Sequence, residues 1–185
     1  GRPSVGLTAW WPLEGSAQDT VGGHDGTLSS SATASFVGAE VAQGLSLDGN
    51  GSGVSVPDSS SLNFTASTDF SIEAWVKPLT VETSYGVMDI VDKRDLSGDL
   101  PVGYELCLVD GKPVLQMSDG TYQACFGGTG SDLRSDGLWH HVAATVHRGT
   151  GASGTLYVDG SAVASFTPSL VPGDLTSSVP LLLGL

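Results

Sequence analysis

Glu73 and Glu105 each interrupt an alternating apolar run, where a carboxylate could serve as nucleophile or proton donor. Glycoside hydrolysis with retention needs two such groups about 5.5 Å apart. Glu73 is flanked by Ile72 and Ala74, and Glu105 by Tyr104 and Leu106, with no second acid two residues away on either strand face. A catalytic pair would have to form across strands, and no nucleophile-elbow sequence for a serine hydrolase is present. The chain is therefore read as non-catalytic. His24, His140, His141 and His147 lack zinc-ligand spacing, and His140-His141 reads as strand alternation with one ring inward and one outward. Sugar recognition asks for planar polar side chains and an aromatic platform, because a pyranose offers hydroxyls and an apolar ring face. Glu105, Gln116 and Gln123 supply the first, and Trp75 and Tyr85 supply the second, with Tyr157 nearby in the pattern.

Composition narrows what these residues can serve. The 185 residues carry 20 acidic against 7 basic side chains, a formal charge of −13. Nucleic acid and anionic membrane surfaces both need clustered Lys and Arg, so neither is an expected partner. Acidic oxygens suit hard cations instead. No apolar run reaches 18 residues, so no membrane insertion is expected, and the start, GRPSVGLTAWW, lacks a basic region followed by an apolar one.

The elements that must position these side chains are short strands. Asp-Gly occurs six times, at 25, 48, 110, 119, 136 and 159, and it accepts the positive φ angles of tight hairpin turns. Alternating runs predict strands over about 7–12, 26–29, 45–48, 53–56, 69–77, 87–93, 103–109, 112–118, 121–126, 139–147, 154–159 and 162–167. No long helical period appears. The reading is an all-β, antiparallel two-sheet β-sandwich forming one domain over residues 1–185. The charged stretch Asp89–Asp95 reads as salt-bridged surface.

Two-residue turns at 110–111 and 119–120 would make 103–126 a meander with one register. Tyr104 then faces Met117 and Leu106 faces Leu115, while Glu105, Gln116 and Gln123 form one row of an outward polar face. In this register Cys107 and Cys125 flank Val114 at about 9.6 Å, beyond the roughly 7 Å limit for a disulfide. A bulge or another strand order would bring them together, so both bridged and free thiols remain open.

Five landmarks in order carry a resemblance. They are Leu7-Thr-Ala-Trp-Trp-Pro12 with Gly15, then Asp19-Thr-Val-Gly-Gly-His-Asp-Gly26, then Gly44-Leu-Ser-Leu-Asp-Gly49 with Val54-Ser-Val-Pro57. Phe70-Ser-Ile-Glu-Ala-Trp-Val-Lys-Pro78 follows, and then Gly137-Leu-Trp-His-His-Val-Ala143 with Leu156-Tyr-Val-Asp-Gly160. Together they resemble the LamG-like jelly roll of the concanavalin A-like lectin and glucanase superfamily, over nearly the whole chain. The resemblance implies two stacked antiparallel sheets and a secreted or cell-surface module, and the low-Lys, Ser/Thr/Gly-rich acidic composition points to a bacterial protein. It implies service as a binding or structural module within larger extracellular proteins and names no ligand; with the polar row and the aromatic candidates, the reading is recognition or adhesion towards glycan or cell-surface protein ligands, the alternative being an architectural role beside other domains of a larger protein. It implies packing roles for Trp10, Trp11 and Trp139. The family pattern continues beyond Leu183-Gly184 with another strand, which this sequence lacks. It also implies a structural Ca²⁺, for which Asp19 and Asp25 would supply carboxylate oxygens and Asp48 would close the shell.

Overall fold

The structure, a computed structural model, describes residues 6–29, 35–49, 51–79 and 86–184. Among these, the strands are β1 Thr27–Leu28, β2 Ser35–Gly38, β3 Gln43–Ser46, β4 Val54–Val56, β5 Phe70–Val76, β6 Val87–Asp95 and β7 Val102–Val109. They continue with β8 Lys112–Asp119, β9 Gln123–Gly127, β10 His140–His147, β11 Ser153–Val158, β12 Ser161–Phe166 and β13 Leu181–Leu183. A seven-stranded sheet has the order β1-β4-β13-β6-β7-β8-β9, a four-stranded sheet the order β12-β11-β10-β5, and β2–β3 pair separately. Every pairing is antiparallel.

Turn chemistry explains much of this. Asp110 and Gly111 have φ of 49° and 72°, and Asp159 and Gly160 have 49° and 76°, the left-handed pair that matches strand twist in a two-residue hairpin. The first expected register follows: Tyr104 faces Met117, Leu106 faces Leu115 and Glu105 faces Gln116. The second turn differs. The Asp119 carboxylate accepts hydrogen bonds from the backbone of Thr121 at 2.9 Å and Tyr122 at 2.7 Å, closing a four-residue turn in place of a two-residue one. The pairing slides by two, so Gln123 lies opposite Ser118 and Cys125 opposite Gln116. An even slip preserves which face each side chain takes, because strands alternate with period two.

Three other expectations are corrected. Residues 7–12 are not a strand; there the Trp11 indole donates to the His24 carbonyl at 2.7 Å, which fits packing, whereas Trp10 is substantially exposed. Ser35–Gly38, expected as loop, pairs with Gln43–Ser46. Leu181–Leu183, three apolar residues too short to show a period, fills the centre of the large sheet between β4 and β6.

The core lies between the two large sheets. Leu106, Leu115 and Leu156 are fully buried in it, and truncating a leucine so placed costs about 2–5 kcal/mol. Two aromatic clusters span the gap: Phe126 of β9 stacks on Phe166 of β12 at 4.4 Å, while Phe64 stacks on Phe70 of β5 at 4.0 Å and meets Tyr104 of β7 at 4.7 Å. The Tyr104 hydroxyl donates to the Leu62 carbonyl at 2.8 Å, which satisfies its only polar atom.

Candidate functional site

The outward side of the large sheet is not a flat solvated surface. Both faces of β7 and β8 are buried, and their outward residues line a groove of about 360 Å³ with the facing residues of β6 and β9. Its polar part holds Asp89, Arg94, Glu105 and Gln116, and Val87, Val109 and Val114 form its apolar wall.

One irregularity assembles the polar part. Asp89 and Asp92 are three residues apart and would point to opposite faces of a regular strand. A bulge between Asp89 and Val91 adds a residue, so Asp89 pairs with Cys107 and Asp92 with Glu105, both on the groove side. Arg94 pairs with Gly103, whose φ is 136°, and a Cβ there would meet the Lys93 carbonyl at 2.0 Å. Only glycine allows β7 to pass this close beneath Arg94.

Arg94 holds the cluster together. Its Nε and Nη2 donate to the two oxygens of Asp92, each at 2.8 Å. Nη2 also donates to Glu105 Oε1 at 2.8 Å, and Nη1 lies 2.7 Å from Glu105 Oε2. Nη1 further donates to the Gln116 side-chain oxygen. These contacts engage all three guanidinium nitrogens. Burial, together with a hydrogen bond to Asp89, pushes the Glu105 carboxyl up to about 8, and the attraction of Arg94 does not cancel this. Among the described residues, Asp89 Oδ1 is buried and receives no hydrogen bond from any group other than the Glu105 carboxyl.

The charged stretch Asp89–Asp95 is salt-bridged as expected, through Arg94 and Asp92, but it is not open surface: Asp89 and Arg94 line the groove and Lys93 is buried on the other side. Glu105 and Gln116, expected together, are together. Gln123 is exposed and shifted along the strand to the Ser118 position. Trp75 lies on β5 of the other sheet, 49% exposed, its ring 5.4 Å from His141, so the expected grouping of Trp75 with the polar row fails. Tyr157, on β11, belongs to that other sheet as well. Tyr85 falls outside the described residues. Arg94, Asp89 and Asp92 were missed because a period-two reading has no place for a bulge; Arg94 two residues from Asp92, on the same face of the strand, was the available signal.

Neither cysteine is activated or bridged. Cys107 is buried and Cys125 exposed, and both are free. Burial raises both thiols above their ordinary value, with Glu105 adding to the effect, so they stay protonated near neutral pH.

The expected calcium loop has a different geometry. Burial works to raise the Asp19 carboxyl, but it accepts hydrogen bonds from the backbone of Trp10, Val21, Gly22 and His24 at 2.8–3.0 Å and meets His24 Nδ1 at 2.8 Å. These contacts hold it well below the usual carboxylate range. Its oxygens are directed at protein donors and do not fit a cation. Asp25 Oδ1 accepts the Asp19 amide at 3.0 Å, and Asp48 Oδ1 accepts the Ser52 hydroxyl at 2.5 Å. Among the described residues, the carboxylates whose oxygens come within 4.8 Å of one another are instead Asp89, Asp92 and Glu105, which already enclose Arg94.

Residues 48–184 match the laminin G type of the concanavalin A-like lectin/glucanases superfamily, and the chain belongs to that family. Among curated proteins no sequence matches. The binding domain of Paraclostridial mosquitocidal protein 1 has a TM-score of 0.73 at 21% identity, over 91% of this chain and 41% of that one. The botulinum neurotoxin serotype D ligand-binding domain, solved with N-acetylneuraminic acid, gives 0.70 at 15% identity, over 96% and 42%. The serotype G binding domain gives 0.61 at 15%, over 89% and 42%. These likenesses establish the fold, and the chain spans about two fifths of each of these structures.

Proposed function

We propose that this chain is a non-catalytic recognition module of an extracellular or cell-surface bacterial protein, binding a glycan or cell-surface ligand in the groove on β6–β9. The observation that carries this reading is the groove itself, where charged and amide groups held in one geometry by Arg94 sit beside an apolar wall. That combination suits a ligand with hydroxyls and an apolar ring face. The similar solved structures are named as binding domains, which supports the same reading.

Three carboxylates do meet across strands here, which is what a glycosidase would require. Glu105, the carboxyl held up to about 8, nevertheless has both oxygens beside Arg94 and is only 4% exposed, so its proton does not face the groove opening. Titration of the chain against a panel of oligosaccharides, with product analysis of the bound sugars, tests both parts. The expected result is saturable binding without cleavage. Binding that survives disruption of Arg94 overturns the assignment of the groove, and released products overturn the non-catalytic reading.

A second reading, architectural assembly, rests on the other sheet. Trp75 is half exposed on edge strand β5, and Leu79 and Leu138 are exposed just beyond the β5–β10 pairing. Sedimentation analysis of the isolated chain and of Trp75→Ala tests whether this surface self-associates.

A further inference from the structure

The groove has an uneven supply of partners for a ligand. Arg94 is its only cation, and its N–H groups are already engaged by Asp92, Glu105 and Gln116. An acidic ligand would find no free cationic donor there. Gln116 has given its oxygen to Arg94, so its remaining capacity is its N–H groups. On the acceptor side, Asp89 Oδ1 is buried, and among the described residues the one group that reaches Asp89 is the Glu105 carboxyl, whose proton an incoming cation would displace. A cationic donor on the ligand would give that buried acceptor a stronger, charge-assisted hydrogen bond. Asp89, Asp92 and Glu105 lie within 4.8 Å of one another against one guanidinium, so the local field favours positive charge.

The volume and the wall say what carries that charge. About 360 Å³ lies at the lower end of small-molecule sites, and the valine side of the groove suits a ring face better than a narrow alkyl chain.

From this arrangement, and building on the assignment of the groove as the binding site, we infer that its ligand is an amino sugar with a free ammonium group seated at Asp89, and that acidic sugars are excluded. The ammonium donates to Asp89 Oδ1, and the ring face lies along Val87, Val109 and Val114. Seating a cation there favours the ionised form of Glu105, so binding releases a proton to the buffer.

The test is calorimetric titration of the intact chain at low salt with three trisaccharides: glucosamine, N-acetylglucosamine and a uronic acid. The glucosamine trimer is expected to bind at least ten-fold tighter than its acetylated counterpart, with no detectable heat from the uronate. Asp89→Asn, nearly isosteric, is expected to bring the amine-to-acetyl ratio to about one while binding of the acetylated trimer persists. Glu40→Gln, the same charge change in the exposed β2–β3 turn, is expected to leave the ratio unchanged, which separates a seated ammonium from general attraction to an acidic protein. Melting curves verify that both variants fold.

Equal or tighter binding of the acetylated trimer overturns this inference while leaving the groove as a glycan site. If no trimer binds the wild type, the reading of the groove falls with it. Two further titrations use calcium chloride and a lysine ester. If either binds in an Asp89-dependent way and displaces the sugar, the site belongs to an inorganic cation or a peptide side chain, and the amino-sugar inference fails.

Discussion

Lys93 and Arg94 are chain neighbours on β6 whose cationic groups serve opposite sides of the same sheet. The Lys93 side chain is fully buried, and its Nζ donates to Asp58 Oδ1 at 2.7 Å and to the Ser177 and Val179 carbonyls at 2.9 and 3.0 Å. Arg94 turns the other way, into the groove. One strand thus fastens the segment at 177–179 on its inner side and organises the ligand site on its outer side.

Lys93→Met tests the first role. It removes a charge but strands two carbonyls and Asp58, whose carboxyl the hydrogen bond from Lys93 holds below its ordinary value. Stability is expected to fall by about 2–3 kcal/mol in urea titration, because hydrogen bonds to charged groups are lost from a buried site. Any folded fraction keeps its sugar affinity.

Arg94→Lys tests the second role. Lysine keeps the charge but cannot bridge Asp92, Glu105 and Gln116 with one planar fork. Affinity for a groove ligand is expected to fall at least ten-fold by calorimetry, with a much smaller loss of melting temperature than Lys93→Met produces.

A pH dependence follows from His140. Burial opposes its protonation, but hydrogen bonds to Asp159 at 2.8 Å and Asp136 at 3.2 Å outweigh it, and the imidazole titrates above its ordinary 6.5. The folded state holds this proton more tightly than the unfolded chain, so the stabilisation is complete below about pH 6.5 and is lost as pH rises through the raised value. Both aspartates are well exposed, which limits the effect to about 1 kcal/mol. Urea midpoints measured from pH 6 to 9 should decline in the wild type and decline less in His140→Gln.

Glu105 adds a second dependence of the same sign. Its carboxyl is raised from 4.5 to about 8, so its stabilising contribution is present below 4.5 and lost as pH climbs towards 8. Glutamine stays neutral throughout. The stability difference between Glu105→Gln and wild type is expected to shift in favour of the variant by roughly 3 kcal/mol between pH 4.5 and 9. A constant difference across that range would show that Arg94 keeps the carboxylate ionised in the folded state.

The two sheets can also be separated functionally. Trp75→Ala is expected to leave groove affinity within two-fold, because Trp75 lies on the sheet that does not form the groove. A large loss would mean that one ligand reaches both sheets.

Legibility in the sequence followed locality. The Asp110-Gly111 hairpin was readable because two residues with positive φ settle its register, and with it the Glu105–Gln116 pair. The Asp119 turn misled by two residues because its side chain, not a backbone angle, closes the loop. The groove's acidic wall was hidden by a single extra residue near Ile90, which reverses the phase of Asp89 without any compositional mark. Asp19 looked like a metal ligand because composition cannot show that backbone N–H groups 10 to 24 converge on it.

The position of β13 governs when the large sheet can exist. Leu181–Leu183 pairs with β4 on one side and β6 on the other, joining residues 90 to 129 positions apart. During synthesis on the ribosome, the β6–β9 meander can zip locally while β4 and β6 still have bare edges. The sheet closes only after residue 183 has left the exit tunnel, so the decisive step of folding waits for the last strand and is slow for a chain of this size. The nascent protein spends that interval with two unpaired strand edges, the state in which it is most exposed to aggregation and most dependent on chaperones.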